Sequence, residues 1–110
     1  MVFKVLFSND NIKYEEYFLN GKYHRIDGPA NIHWLNNGQK DIEEYYINGR
    51  LHREDGPSII WYHNGRKLHE LYYLNGVNYF KVEWIEKLKE IKSSHYKEQK
   101  MLYDMEKYNL

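Results

Sequence analysis

Two triplets carry the residue types of a reactive site: His24, Arg25 and Asp27, and, 28 residues later, His52, Arg53 and Asp55. An imidazole near a carboxylate can move protons or ligate a metal, and a guanidinium beside them can hold an anion. The same residues also suit a scaffold. In that reading the aspartate caps a turn, the arginine pairs with it or with a carboxylate on a neighbouring strand, and the histidine packs between repeats. Spacing favours the scaffold. Equivalent atoms two or more strands apart are separated by roughly 10 Å or more, whereas zinc holds its ligands at about 2 Å. His24 and His52 therefore do not share an ion, and neither a metal site nor a cofactor nor catalysis is expected.

Other candidates are weaker. The His-Arg-x-Asp string resembles a kinase catalytic loop, but that loop works only with a glycine-rich strand, a partner lysine and a much larger bilobed fold. Ser58 follows Gly-Pro without a nucleophile elbow, and Ala30 stands in its place in the other copy, which excludes a repeated serine site. His33, His63 and His69 fall at non-equivalent positions, as expected of solvated or half-buried imidazoles. Aromatic residues offer a different chemistry. Tyr17-Phe18, Tyr45-Tyr46 and Tyr72-Tyr73 are adjacent pairs, so in a strand one ring of each faces each side of the sheet. Such rows either hold a thin sheet together by cross-strand packing or present a face to a protein partner, with Arg25 and Arg53 at its rim. Stacking on nucleic-acid bases is less favoured, because the strands add no net positive charge.

What must position these residues is a repeat. EYFLNGKYHRIDGPANIHWLNNGQKDIE (16–43) lies over EYYINGRLHREDGPSIIWYHNGRKLHE (44–70), and LYYLNGVNY (71–79) begins a third copy. Asn20 and Asn48 are 28 apart, while Ile32, Trp34 and Gly38 match Ile59, Trp61 and Gly65 at 27, which puts one extra residue near Asn31, as a bulged strand would. A fainter echo, VLFSNDNIKYEEYF (5–18), sets Asn9-Asp10 where Asn64-Gly65 stands, so 1–15 reads as a partial unit. Asn-Gly recurs at 20–21, 37–38, 48–49, 64–65 and 75–76, and accepts the positive φ of a tight hairpin turn. Asp27-Gly28-Pro29 and Asp55-Gly56-Pro57 break any helix and redirect the chain. Short stretches such as IEEYYI and PSIIWY carry no helical period. Residues 1–79 are thus expected to form an antiparallel β-meander of linked hairpins.

After Tyr79 the composition favours helix, without Gly or Pro from 80 to 110. Trp84, Ile85, Leu88 and Ile91 recur at helical steps, as do Met101, Leu102, Met105 and Tyr108, a face that serves either as core or as the seam of a homodimer. Ser93-Ser94 is a break between two helices or a weak point in one. The fold class is mainly β with an α element, the helical segment packing on one face of the sheet. Lys and Arg match Asp and Glu at 16 each, and there is no cysteine. Neither part is strongly charged: 9 basic against 10 acidic residues in 1–80, then 7 against 6 in 81–110. This argues against a dedicated nucleic-acid binder or a DNA mimic. The absence of disulfides, of a leader-like opening and of a long apolar run points to a soluble protein of the cytoplasm that engages no membrane.

The phrase N-G-x-x-H-R-x-D-G-P-[AS], followed by an I-x-W strand and another Asn-Gly, resembles the MORN-like repeats of tailed-phage and giant-virus proteins, related to antitoxin-type β-repeats. The resemblance covers 16–79 well and 1–15 weakly. It implies a scaffold in which His24, Asp27, Gly28, Pro29, His52, Asp55, Gly56 and Pro57 build the repeat loops. It also implies a viral interaction protein that sterically blocks a host protein or protein–nucleic acid complex, most concretely an anti-CRISPR protein in the host cytoplasm. The alternatives are an antitoxin-like protein that neutralises a cognate toxin, and a small metal-dependent hydrolase or nuclease using the His/Asp loops.

Overall fold

Left-handed backbone at the turns sets the architecture. Asn20, Asn48, Asn64 and Asn75 take φ of 51, 49, 51 and 49°, each followed by a glycine between 75 and 81°. Positive φ at both central residues gives a two-residue turn whose twist matches its strands. The computed structural model, which describes residues 1–108, has the strands β1 (Phe3–Asn9), β2 (Ile12–Leu19), β3 (Lys22–Tyr23), β4 (Asn31–Leu35), β5 (Lys40–Glu44), β6 (Tyr46–Ile47), β7 (Arg50–Leu51), β8 (Ile59–His63), β9 (Arg66–Leu74) and β10 (Val77–Tyr79), and these four turns join β2 to β3, β6 to β7, β8 to β9 and β9 to β10. The long strands form one antiparallel meander in the order β1-β2-β4-β5-β8-β9-β10, with β3 pairing on β2 and β6 on β7. The short hairpins β2/β3, β6/β7 and β9/β10 stand side by side. Gly49 N–H donates to Tyr23 O and Gly76 N–H to Leu51 O, both at 2.8 Å.

The extra residue of the first copy does not lie near Asn31. Asn31 pairs with Glu44 as Ile59 pairs with Leu71, and Ile32 and Trp34 occupy the places of Ile60 and Tyr62. Both copies carry the same irregularity, after His33 and after Trp61. The difference is in the turn. Leu35 N–H donates to Gln39 O at 2.8 Å, enclosing the three-residue loop 36–38, and only Gly38 there has positive φ (84°). The counterpart is the two-residue loop Asn64-Gly65, closed by His63 and Arg66. At the start of the chain Asn9 pairs with Ile12, so the turn is Asp10-Asn11, one residue later than the echo implied.

Alternate residues divide the sheet into two sides. Tyr17, Tyr45 and Tyr72 fall on one with Ile32, Glu43 and Ile60; Phe18, Tyr46 and Tyr73 fall on the other with Tyr14, His33 and Trp61. Helix α1 (Lys81–Tyr108) runs unbroken through Ser93-Ser94. It packs on β9 and β10 from the side of Tyr72. Among the described residues of the helix, only Trp84 and Leu88 are buried there, against Leu74, Tyr72 and Tyr79, so the helix is anchored by its first turns and does not blanket the face. Ile91, Met101, Leu102 and Met105 are exposed. The side chain of Tyr108 and residues 109–110, part of the 80–110 segment, lie outside the described residues. The radius of gyration is 17.8 Å, against about 13 Å for a compact chain of this length. A single-layer sheet with a projecting helix accounts for the excess.

Candidate functional site

Each His-Arg-x-Asp-Gly-Pro loop is built around its arginine. The Arg25 guanidinium lies 4.0 Å from the centre of the Tyr17 ring, and that of Arg53 lies 4.0 Å from the Tyr45 ring. Arg25 Nε donates to Asp27 Oδ1 at 3.2 Å and its Nη1 to Pro29 O at 3.2 Å. Arg53 repeats this with Asp55 at 2.9 Å and Pro57 O at 3.1 Å. Glycine closes the sandwich: a Cβ on Gly28 or Gly56 would come within 2.9 or 2.8 Å of the guanidinium carbon. Cation–π contact, charge-assisted hydrogen bonds and close backbone approach hold each planar cation in place. Both arginine side chains are about three-quarters buried, whereas Asp27 and Asp55 are exposed.

The histidines join one unit to the next. His24 Nδ1 accepts from Asn48 N–H, and His52 Nδ1 from Asn75 N–H, both at 2.9 Å. An accepting Nδ1 places the ring proton on Nε2, and in His52 that nitrogen meets Glu54 Oε2 at 2.8 Å. Each ring thus satisfies the turn that opens the following unit. Among the described residues, no three His, Asp or Glu side chains come together to hold a metal ion. Ser58 is fully buried, donating from Oγ to Tyr73 O and accepting from Tyr73 N–H at 3.1 Å each.

The tyrosine rows are placed on opposite sides as their pairing implied, but they are not a bare stripe. Tyr17 and Tyr45 lie under arginines, and Tyr72 lies 4.9 Å from the Trp84 ring. Trp84 also donates from Nε1 to Arg53 O at 3.1 Å. It covers Tyr72 where the truncated third unit has no arginine. The signal was in the sequence: Tyr72 is third in a series whose first two members each have an arginine eight residues on. On the other side Phe18, Tyr23 and Tyr46 form a chain of rings with centres 4.9 and 5.0 Å apart.

Glutamates on the strands, which motif reading passed over, complete the network. Tyr23 donates to Glu16, Tyr62 to the buried Glu43, and Tyr46 to Glu44 at 3.4 Å. Lys40 meets Glu43 at 3.2 Å. Burial first, then the Glu44 charge and hydrogen bond, push the Tyr46 phenol up to about 12. Burial and bonds to Glu16 and Glu43 raise Tyr23 and Tyr62 as well.

Between the two loops the site opens to solvent. A groove of about 700 Å³ there is lined by both arginines, with Asp27, Glu54 and Asp55 around it and Lys92 of α1 alongside. Ile26, also in its wall, is 85% exposed. Mixed charge and an apolar knob suit a protein surface better than a phosphate. No helix among the described residues is long and apolar enough to cross a membrane. Comparison of the chain with family models, curated proteins and solved structures finds no match.

Proposed function

We propose that this chain is a non-enzymatic binding protein that sterically blocks a surface of another macromolecule. Its most concrete form is a phage-encoded inhibitor of a bacterial defence system, such as an anti-CRISPR protein, acting in the host cytoplasm on a protein or protein–nucleic acid complex. One observation carries the binding role: both arginines are spent on holding their loops and both histidines on linking units, which leaves the aspartates on the outside. Loops fixed in this way present Ile26 and the carboxylates of Asp27, Glu54 and Asp55 at small entropic cost, as a preorganised surface should. The viral setting rests on the resemblance of the repeated phrase to phage β-repeats. Arg25, Arg53, Tyr17 and Tyr45 act beneath this surface as its support. Tyr46, Tyr72 and Tyr73 keep to the sheet.

The test is expression of the tagged chain in a bacterial host carrying an active defence system. A stoichiometric protein partner that survives nuclease treatment is expected, together with restored phage plating. Ile26→Asp should abolish both while leaving the circular dichroism spectrum unchanged. Retention of nothing, or of material that disappears with nuclease, overturns the reading in favour of a nucleic-acid or structural role.

A further inference from the structure

The sheet has two edges, and they are finished differently. At one, β10 is three residues long and runs directly into α1. At the other, β1 offers seven residues without proline and without a register shift against β2, and Lys4 is its one charge. Phe3, Val5, Leu6 and Phe7 are 62, 41, 65 and 45% exposed. Edge strands are normally shortened, bulged, charged or covered, because a flat apolar edge is a template for another strand.

The parity of the hairpin shows which groups are free. Asn9 and Ile12 close the two-residue loop Asp10-Asn11. In such a turn the closing pair is hydrogen-bonded, so Phe3, Val5 and Phe7 spend their backbone groups on β2. Tyr17 confirms the alternation, since its N–H turns away from β1 to Ala30 O at 2.8 Å. The N–H and C=O groups of Lys4, Leu6 and Ser8 therefore point outward, and no strand among the described residues pairs with them.

We propose that the occupant of this edge is a second copy of the chain, joined antiparallel β1 to β1 about a two-fold axis at Val5. In that register Lys4 and Leu6 exchange backbone hydrogen bonds across the axis. Val5 faces Val5, and Phe3 faces Phe7, in the non-hydrogen-bonded positions where side chains approach most closely. These pairs extend the row in which Phe7 stacks on Tyr14 at 4.6 Å and Tyr14 meets His33 at 4.6 Å. Aromatic pairs in such positions are among the favourable cross-strand contacts. Shifting the register one way sets Lys4 against Lys4, and shifting it the other breaks the Phe3–Phe7 pairs. The edge is thus self-complementary in one register. An interface of one strand pair belongs to the small, concentration-dependent class.

The test is the solution mass of the full chain across a concentration series. The mass should double at high micromolar concentration and return to 13.6 kDa on dilution. Val5→Lys, which opposes two like charges on the axis, should keep it monomeric. Because the chain has no cysteine, Val5→Cys gives a clean second reading. It should form an interchain disulfide under mild oxidation, whereas Lys4→Cys, two residues out of register with itself, should not. A monomer at every concentration overturns the proposal, as does equal cross-linking at both sites. Loss of the doubled mass in Leu102→Glu, with Val5→Lys still dimeric, would assign the seam to α1 instead. None of these outcomes depends on the identity of a host partner.

Discussion

At the scale of single residues, Arg53 has the chemistry of an anion binder and the surroundings of a structural pin. Its guanidinium is fixed by the Tyr45 ring, Asp55 and the Pro57 carbonyl, and the absence of a Cβ at Gly56 leaves it room. Gly56→Ala and Arg53→Ala should therefore do the same damage by different routes, since either one empties the slot. Loss of the stack and its hydrogen bonds should cost about 1–2 kcal/mol in each variant. In the double variant the added methyl no longer meets a guanidinium, so the two costs should fail to add. Urea unfolding of the four chains measures this directly. Additive costs would mean that the glycine and the arginine matter for separate reasons.

At the scale of elements, turns and strands were legible and the register between copies was not. Four Asn-Gly steps sit in tight two-residue turns because only small polar residues and glycine accept two successive left-handed conformations cheaply. The fifth, Asn37-Gly38, belongs to a longer loop, and an Asn-Gly pair alone does not show where its strands close. Identical letters were misleading for a physical reason: Ile32 and Trp34 match Ile59 and Trp61 by name, but side-chain parity aligns them with Ile60 and Tyr62. In the candidate site, the local Arg-to-Asp contact was readable from spacing. The histidine bonds to Asn48 and Asn75 and the tyrosine bonds to strand glutamates depend on neighbouring strands, which a linear motif does not encode. Two deletions separate the alternatives. Removing one asparagine of Asn36-Asn37 should leave Leu35 and Gln39 closing a two-residue Asn-Gly turn, at a cost of about 1 kcal/mol or less, because the contact of Asn36 with Asn11 is exposed. Removing Asn31 should invert every side chain of β4 and abolish cooperative unfolding. Thermal melts followed by circular dichroism distinguish the outcomes, and equal tolerance of the two deletions would show that the register is not pinned.

At the scale of the whole molecule, a shape whose shortest overall dimension is 19 Å has little interior, and polar pairs spread along the array do part of the work of a core. Tyr23, Tyr46 and Tyr62 belong to three different hairpin segments, and each donates to a glutamate on a long strand. Cooperative stability should therefore depend on keeping phenols protonated. The folded state raises Tyr46 from 10.0 to about 12, and raises Tyr23 and Tyr62 too. A raised folded value makes the unfolded chain lose its protons first, so the stabilisation is complete below the unfolded value and falls as pH rises through the folded one. Stability should be level on the neutral side of pH 10.0 and decline progressively toward pH 12. Tyrosinate absorbance should then rise together with the loss of the sheet signal. Tyr62→Phe separates this cause from general alkaline damage. Among the described residues it leaves the buried Glu43 with Lys40 as its one side-chain partner, so it should be less stable than the parent at neutral pH. Having one fewer raised phenol, it should also lose less between neutral and alkaline conditions. Urea midpoints for both chains across the range measure the two slopes. Parallel slopes would remove Tyr62 from the linkage, and a flat parent curve would show that these phenols do not help hold the array together.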